Sequence, residues 1–149
     1  METLKTTVGQ ILQRKGYEIW SVKPDDSVYD ALELMADRNI GAVLVIDDGK
    51  LVGILSERDY ARKVILRGRT SRETRVREIM TRNVLCVRPD QTIDECMALM
   101  TDKRIRHLPV IEGDRLVGVI SIGDVVKATI SLQEFVIRQL ENYITGKVA

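Results

Sequence analysis

The chain has 149 residues, 44% apolar and 30% charged, an ordinary globular composition that can fill one compact core or two small lobes sharing one. With 23 Lys and Arg against 22 Asp and Glu, its formal charge of +1 gives no field that would draw nucleic acid or an anionic membrane, so any anion site must be local. The start, Met1-Glu2-Thr3-Leu4-Lys5, is too polar for a secretory signal, and no apolar run approaches the ~18 residues of a membrane helix; both point to a cytoplasmic protein.

Thr7 and Gln10 form a capping box ahead of Val8, Ile11 and Leu12, which share one helix face. A loop containing Gly16 follows, then a short strand at Ile19–Val22 that includes the only tryptophan, Trp20. After Pro24-Asp25, Ser27-x-x-Asp30 caps a helix with Val28, Ala31, Leu32, Met35 and Ala36 at helical spacing. The methionines on this stripe are read as core filling. Ala42–Ile46 and Leu51–Leu55 are apolar strands joined by Asp47-Asp48-Gly49-Lys50, a tight-hairpin signal. Being apolar on both sides, they are expected to be covered on both faces.

The second strand runs straight into Ser56-x-x-Asp59, which starts a helix from about Glu57 to Ile65. Arg67 to Arg75 carries four arginines and no apolar period. It reads as a solvated linker, the alternative being that one arginine folds back onto a phosphate.

Beyond the linker the pattern starts again. A shift of 65 positions superposes residues 22–60 on 87–125 without a gap, matching Val22 to Val87, Gly53 to Gly118, Ser56 to Ser121 and Asp59 to Asp124. Val76, Glu78, Ile79 and Met80 echo the opening helix, Val84–Val87 the short strand, and Thr92-x-x-Glu95 caps a helix bearing Ile93, Cys96, Met97 and Met100. The last helix of this copy is expected from Ile122 into Ala128. Each copy thus reads β-α-β-β-α, and two such copies should pack about a pseudo-twofold axis in a mixed α/β fold. The expected divisions are 7–66, a linker at 67–75, 76–130, and a C-terminal helix and tail at 131–149. In that tail Leu132, Phe135, Val136, Leu140, Tyr143 and Ile144 share one helix side, which must cover either the core or a second subunit.

Cys86 and Cys96 show no metal or disulfide spacing and read as buried free thiols. No Gly-x-Gly-x-x-Gly or P-loop is present, and no nucleophile, base and orienting group cluster, so neither catalytic nor metal-binding residues are assigned. The chemistry-bearing pattern is the twin Ser-x-x-Asp. At a strand-to-helix step it can cap the helix, or it can present a hydroxyl and a carboxylate to a phosphate and a ribose beside free N–H groups. Gly53 and Gly118 would admit a ligand or a neighbouring strand. Arg58, one turn from Arg62 and followed by Lys63, can set positive charge near a phosphate. His107 beside Arg106 is either structural or a phosphate contact.

The duplicated unit, the two Gly-apolar-apolar-Ser-x-x-Asp runs and Arg106-His107-Leu108-Pro109-Val110 together resemble the cystathionine β-synthase (CBS) domain pair, or Bateman module, of the signal-transduction type. The resemblance spans about Thr7 to Thr129. It implies a regulatory adenine-nucleotide sensor binding AMP, ADP, ATP, NAD or S-adenosylmethionine in clefts between the repeats, with no catalytic cofactor, and working as a homodimer. Carried over residue by residue, it implies ribose contacts at Asp59 and Asp124, and phosphate contacts at Ser56, Arg58, Ser121, Arg106 and His107. Around the adenine it implies Val22, Ile40, Gly41, Ala42, Val43, Val87, Ile105, Leu108 and Pro109. The copies differ at Gly41-Ala42-Val43-Leu44 against Arg106-His107-Leu108-Pro109, and at Glu57-Arg58 against Ile122-Gly123, so their sites are expected to take different ligands, such as a mononucleotide and NAD. Many such modules are joined to an effector domain, whereas none is recognisable in this sequence. The competing reading is a ligand-free interaction module whose Ser-x-x-Asp motifs serve as caps alone.

Overall fold

Most of the helices begin directly after a Ser or Thr. In the computed structural model, which describes residues 5–145, Thr7 and Gln10 close the expected box and α1 runs Val8–Lys15. Ser27 Oγ accepts from the Asp30 N–H ahead of α2 (Val28–Arg38), and Thr92 Oγ1 accepts from the Glu95 N–H ahead of α5 (Ile93–Lys103). Strands β2 (Ala42–Asp47) and β3 (Lys50–Ser56) form an antiparallel hairpin, as do β4 (His107–Glu112) and β5 (Arg115–Ser121). Asp48 and Gly49 both have positive φ, 51° and 77°, as a two-residue hairpin turn twisted with its strands requires. The register shift between Val45 and Ile46 recurs between Val110 and Ile111, so the duplication preserved even the bulge. Helices α3 (Glu57–Lys63), α4 (Val76–Ile79) and α6 (Ile122–Thr145) complete the set.

The chain folds into two compact units: Glu18–Leu85, and the stretch up to Tyr17 joined with that from Cys86 onward. In the first, Val28, Ala31, Met35, Val43, Val45, Leu55, Val76 and Ile79 are buried together. In the second, Val8, Leu12, Ile93, Cys96, Met100, Leu108, Val110 and Ile120 are.

The leading helix of each copy thus docks on the body of the other. Val8 N–H and Gly9 N–H donate to Gln91 O and Pro89 O, and Ile93 N–H to Thr6 O. At the matching positions Val76 N–H and Arg77 N–H donate to Asp26 O and Pro24 O, and Val28 N–H to Thr74 O. The glycines of β3 and β5 receive these helices. A Cβ on Gly118 would lie 2.8 Å from Leu12 Cδ2, and one on Gly53 would lie 2.7 Å from Met80 Sδ. What they admit is a neighbouring side chain, where the sequence suggested a ligand or strand.

Three expectations are corrected. The short strand exists in the first copy as β1 (Ser21–Val22), parallel to β2, but its counterpart is reduced to a single bridge from Val87 to Val110. Leu44 N–H donates to Trp20 O, whereas the matching position holds Pro109, which has no N–H, so a rung is missing. Cys86 accordingly lies outside any strand and is half-buried, while Cys96 is fully buried; neither forms a disulfide. Second, the arginine-rich stretch keeps all four arginines exposed, as a solvated linker should, but it is also docked on its unit: Thr74 is buried, Tyr29 N–H donates to Ser71 O, Arg69 pairs with Glu78 and Arg72 stacks 3.9 Å over the Tyr29 ring. Third, α3 stops at Lys63 and passes into a 3-10 turn at Ile65–Arg67, while its counterpart runs unbroken into the tail as the 24-residue α6.

Candidate functional site

In each unit the β-strand that ends in Ser delivers its chain directly into a helix, and the Ser-x-x-Asp side chains fold over that step. Ser56 N–H donates to Asp59 Oδ2 at 2.9 Å and Asp59 N–H to Ser56 Oγ at 3.1 Å. Ser121 N–H donates to Asp124 Oδ2 at 2.8 Å and Asp124 N–H to Ser121 Oγ at 3.2 Å. Both motifs therefore close capping boxes, the local role that the sequence left open. The next N–H is taken by the residue ahead of the hairpin: Glu57 N–H donates to Gly41 O at 3.0 Å and Ile122 N–H to Arg106 O at 2.8 Å. Among the described residues this leaves the N–H of Arg58 and of Gly123 as the helix-start donors without a protein acceptor.

The carboxylates have further partners, and these differ. Asp59 Oδ1 pairs at 3.1 Å with Lys63 of its own helix and meets Thr81 Oγ1 at 3.5 Å. Lys63 Nζ also donates to Ile79 O. Asp124 Oδ2 instead receives Lys15 Nζ, 2.6 Å away and 109 residues distant in sequence, and the same ammonium donates to Val119 O at 2.8 Å. Burial alone would raise the Asp124 pKa, but the Lys15 ammonium and the Ser121 N–H outweigh it and hold the carboxyl below its ordinary value. His107, half-buried on β4, has its pKa lowered by burial first and then by Lys15, with Asp124 opposing and Arg106 adding to the effect. It is therefore biased toward the neutral imidazole, which can donate from one nitrogen and accept at the other.

The residues expected around an adenine divide into two groups. Val22, Val43, Val87 and Leu108 turn their side chains into the unit cores, so only their backbone is offered to a ligand; Pro109 is buried as well. Ile40, Gly41, Ala42 and Ile105 are half-buried. Ile40 and Gly41 line a pocket of about 250 Å³ with Asn39 and Glu57. Arg58 and Arg106 are exposed. In the other unit Asp124 lies in the wall of a groove of about 460 Å³ between α1 and α6. Sequence reasoning missed Lys15, because the residue it joins lies across nearly the whole chain; its only local signal was a cation in the last turn of a short helix.

Among the described residues no helix is long and apolar enough to cross a membrane, and no group of His, Cys, Asp and Glu is arranged to hold a metal ion. A family model, the CBS domain, matches residues 8–66 and 76–131. The mitochondrial CBS domain-containing protein CBSX3 of Arabidopsis thaliana is 40% identical over 151 residues, covering 95% of this chain and 73% of its own. A CBS-domain protein of Burkholderia ambifaria MC40-6 superposes with a TM-score of 0.83 at 56% identity, over 85% of this chain and 95% of that one. The CBS domain pair of protein MJ0100, solved in complex with 5′-methylthioadenosine and S-adenosylmethionine, gives a TM-score of 0.75 at 27% identity, over 85% and 98%. With two stretches that together span most of its length matched by one model, this chain belongs to the CBS-domain family, as a tandem pair of CBS domains.

Proposed function

We propose that this chain is a regulatory, non-catalytic module of the cytoplasm that binds adenosine ligands, AMP, ADP, ATP or NAD, and signals their presence as a homodimer. In this reading Asp59 and Asp124 exchange their present side-chain partners for ribose hydroxyls. Ser56, Arg58, Ser121, Arg106 and His107 stand near phosphate, and the backbone at Ile40–Val43 and Ile105–Pro109 meets the base. The observation that carries it is the twin geometry: in both units a carboxylate at a helix start sits beside one unsatisfied N–H and next to the residue that precedes the hairpin. The nucleoside ligands crystallised with the MJ0100 pair support the same chemistry. Homodimerisation is supported by the apolar side chains that α6 leaves exposed, among them Leu140 at 57% and Tyr143 at 86%.

A second reading has its own support, because both carboxylates close boxes with their own serines, as a ligand-free interaction module would require. Thermal unfolding with adenosine, AMP, ATP, NAD and S-adenosylmethionine separates the two. A ligand at 100 times its Kd stabilises the fold by about 2.7 kcal/mol, and Asp59→Asn with Asp124→Asn should abolish that shift. No shift with any of the five leaves the caps-only module. For the dimer, Leu140→Glu should turn a dimeric sedimentation profile into a monomeric one with helix content retained, and a monomeric parent protein would remove homodimerisation from the proposal.

A further inference from the structure

The groove between α1 and α6 gathers three cations around one carboxylate. Arg14 and Lys15 reach it from α1, and Lys127 from α6; Asp124 is the one acidic residue in its wall, so three cations face one anion in a chain whose net charge is only +1. Lys15 is engaged by Asp124, whereas Arg14 and Lys127 have no acidic partner among the described residues. Gln10 and Ser131 add uncharged donors. Along α6 the lining positions Asp124, Lys127 and Ser131 fall on one face and span roughly 10 Å at ~1.5 Å per residue. The volume of about 460 Å³ lies within the ~300–1,000 Å³ of small-molecule sites.

From this juxtaposition we infer that the groove binds a phosphoanhydride chain, with Arg14 and Lys127 as its standing counter-ions and Lys15 as an exchangeable one. Without ligand, Lys15 neutralises Asp124. When a chain of phosphates enters, the Lys15 ammonium moves to it and frees Asp124. Its four-carbon stem allows that movement without rearranging the backbone of α1. Resting on the adenosine reading, the inference names Lys15 as the residue that makes occupancy at Asp124 depend on phosphate number: a diphosphate or triphosphate replaces the lost ion pair, and an uncharged nucleoside does not. The chain could belong to a nucleotide or be free polyphosphate, and the chemistry recognised is the same.

Calorimetry with adenosine, AMP, ATP and inorganic tripolyphosphate as separate arms, at fixed ionic strength, tests this on the full chain. The parent protein should bind ATP at least tenfold more tightly than AMP and should bind tripolyphosphate measurably. In Arg14→Gln/Lys127→Gln, and separately in Lys15→Gln, the ATP-to-adenosine affinity ratio should collapse toward one and tripolyphosphate binding should disappear, with circular dichroism checking the fold. If these variants bind ATP and tripolyphosphate as the parent does, or the parent binds neither, the groove is not a phosphate site; adenosine binding that persists then leaves the adenosine reading standing. Tripolyphosphate binding that is lost in the variants, in a protein that binds no adenosine ligand, assigns the groove to free polyphosphate and removes the adenosine reading alone.

Discussion

Lys15 Nζ lies 2.6 Å from Asp124 Oδ2, so the helix that opens the chain supplies the counter-ion to the carboxylate that caps the last helix. Lys15→Met removes the strongest influence that lowers the Asp124 pKa while leaving the burial that raises it. The Asp124 carboxyl should therefore titrate at higher pH in the variant, as followed by its side-chain carbon resonance. The sign for stability follows. With a folded pKa below the ordinary 3.8, the parent keeps this contribution above pH 3.8 and loses it as pH falls through the folded value. In the variant the folded value moves toward 3.8 or past it, so the stability that Asp124 contributes above pH 3.8 should shrink, and the loss on acidification with it.

The crossed docking of α1 makes Leu12 and Gly118 a testable pair. Leu12 is fully buried, so Leu12→Ala should cost about 2–5 kcal/mol by denaturant unfolding. Gly118→Ala forces a Cβ to within 2.8 Å of Leu12 Cδ2 and should cost about 1–3 kcal/mol through overpacking. In the double variant the methyl group meets no leucine, so the costs should fall well short of additive. Gly53→Ala should be the worse of the two glycine changes, since its Cβ would also press 3.0 Å against the Thr81 carbonyl oxygen, which is backbone.

His107 should give the protein a stability slope in the mildly acidic range. Its folded pKa is lowered from 6.5, so below about pH 6.5 the unfolded chain binds a proton that the folded chain does not, and stability falls as pH drops. Lys15 and Arg106 act in that direction and Asp124 opposes them. Thermal unfolding between pH 7.5 and 5.5 should show the decline in the parent and a flatter profile in His107→Gln. Equal slopes would mean that His107 is not its source.

Arg104 occupies the left-handed region with φ of 54° at the C-terminus of α5, where the matching position at the end of α2 is Asn39 with φ of 53°. A branched-out L side chain there costs roughly 1–2 kcal/mol, and asparagine is tolerated better. Arg104→Asn should therefore stabilise the protein by about 0.5–1 kcal/mol, and Asn39→Arg should destabilise it similarly. Chemical denaturation of the two exchanges reads both effects.

The sequence alone determined the duplicated unit, its caps, its hairpins and the two Ser-x-x-Asp steps, because each depends on neighbours a few residues apart: a hydroxyl three positions before an N–H, or alternation along a strand. Even the reduced strand was written locally, since Pro109 stands where Leu44 supplies an N–H. What only the tertiary structure decided was partnership. The leading segments before α1 and α4 offer matching hydrogen-bond donors and similar apolar faces, so nothing near either one says which copy it will join. Only the packing of the whole chain sends α1 to the second body, sets Leu12 over Gly118, and brings Lys15 to Asp124.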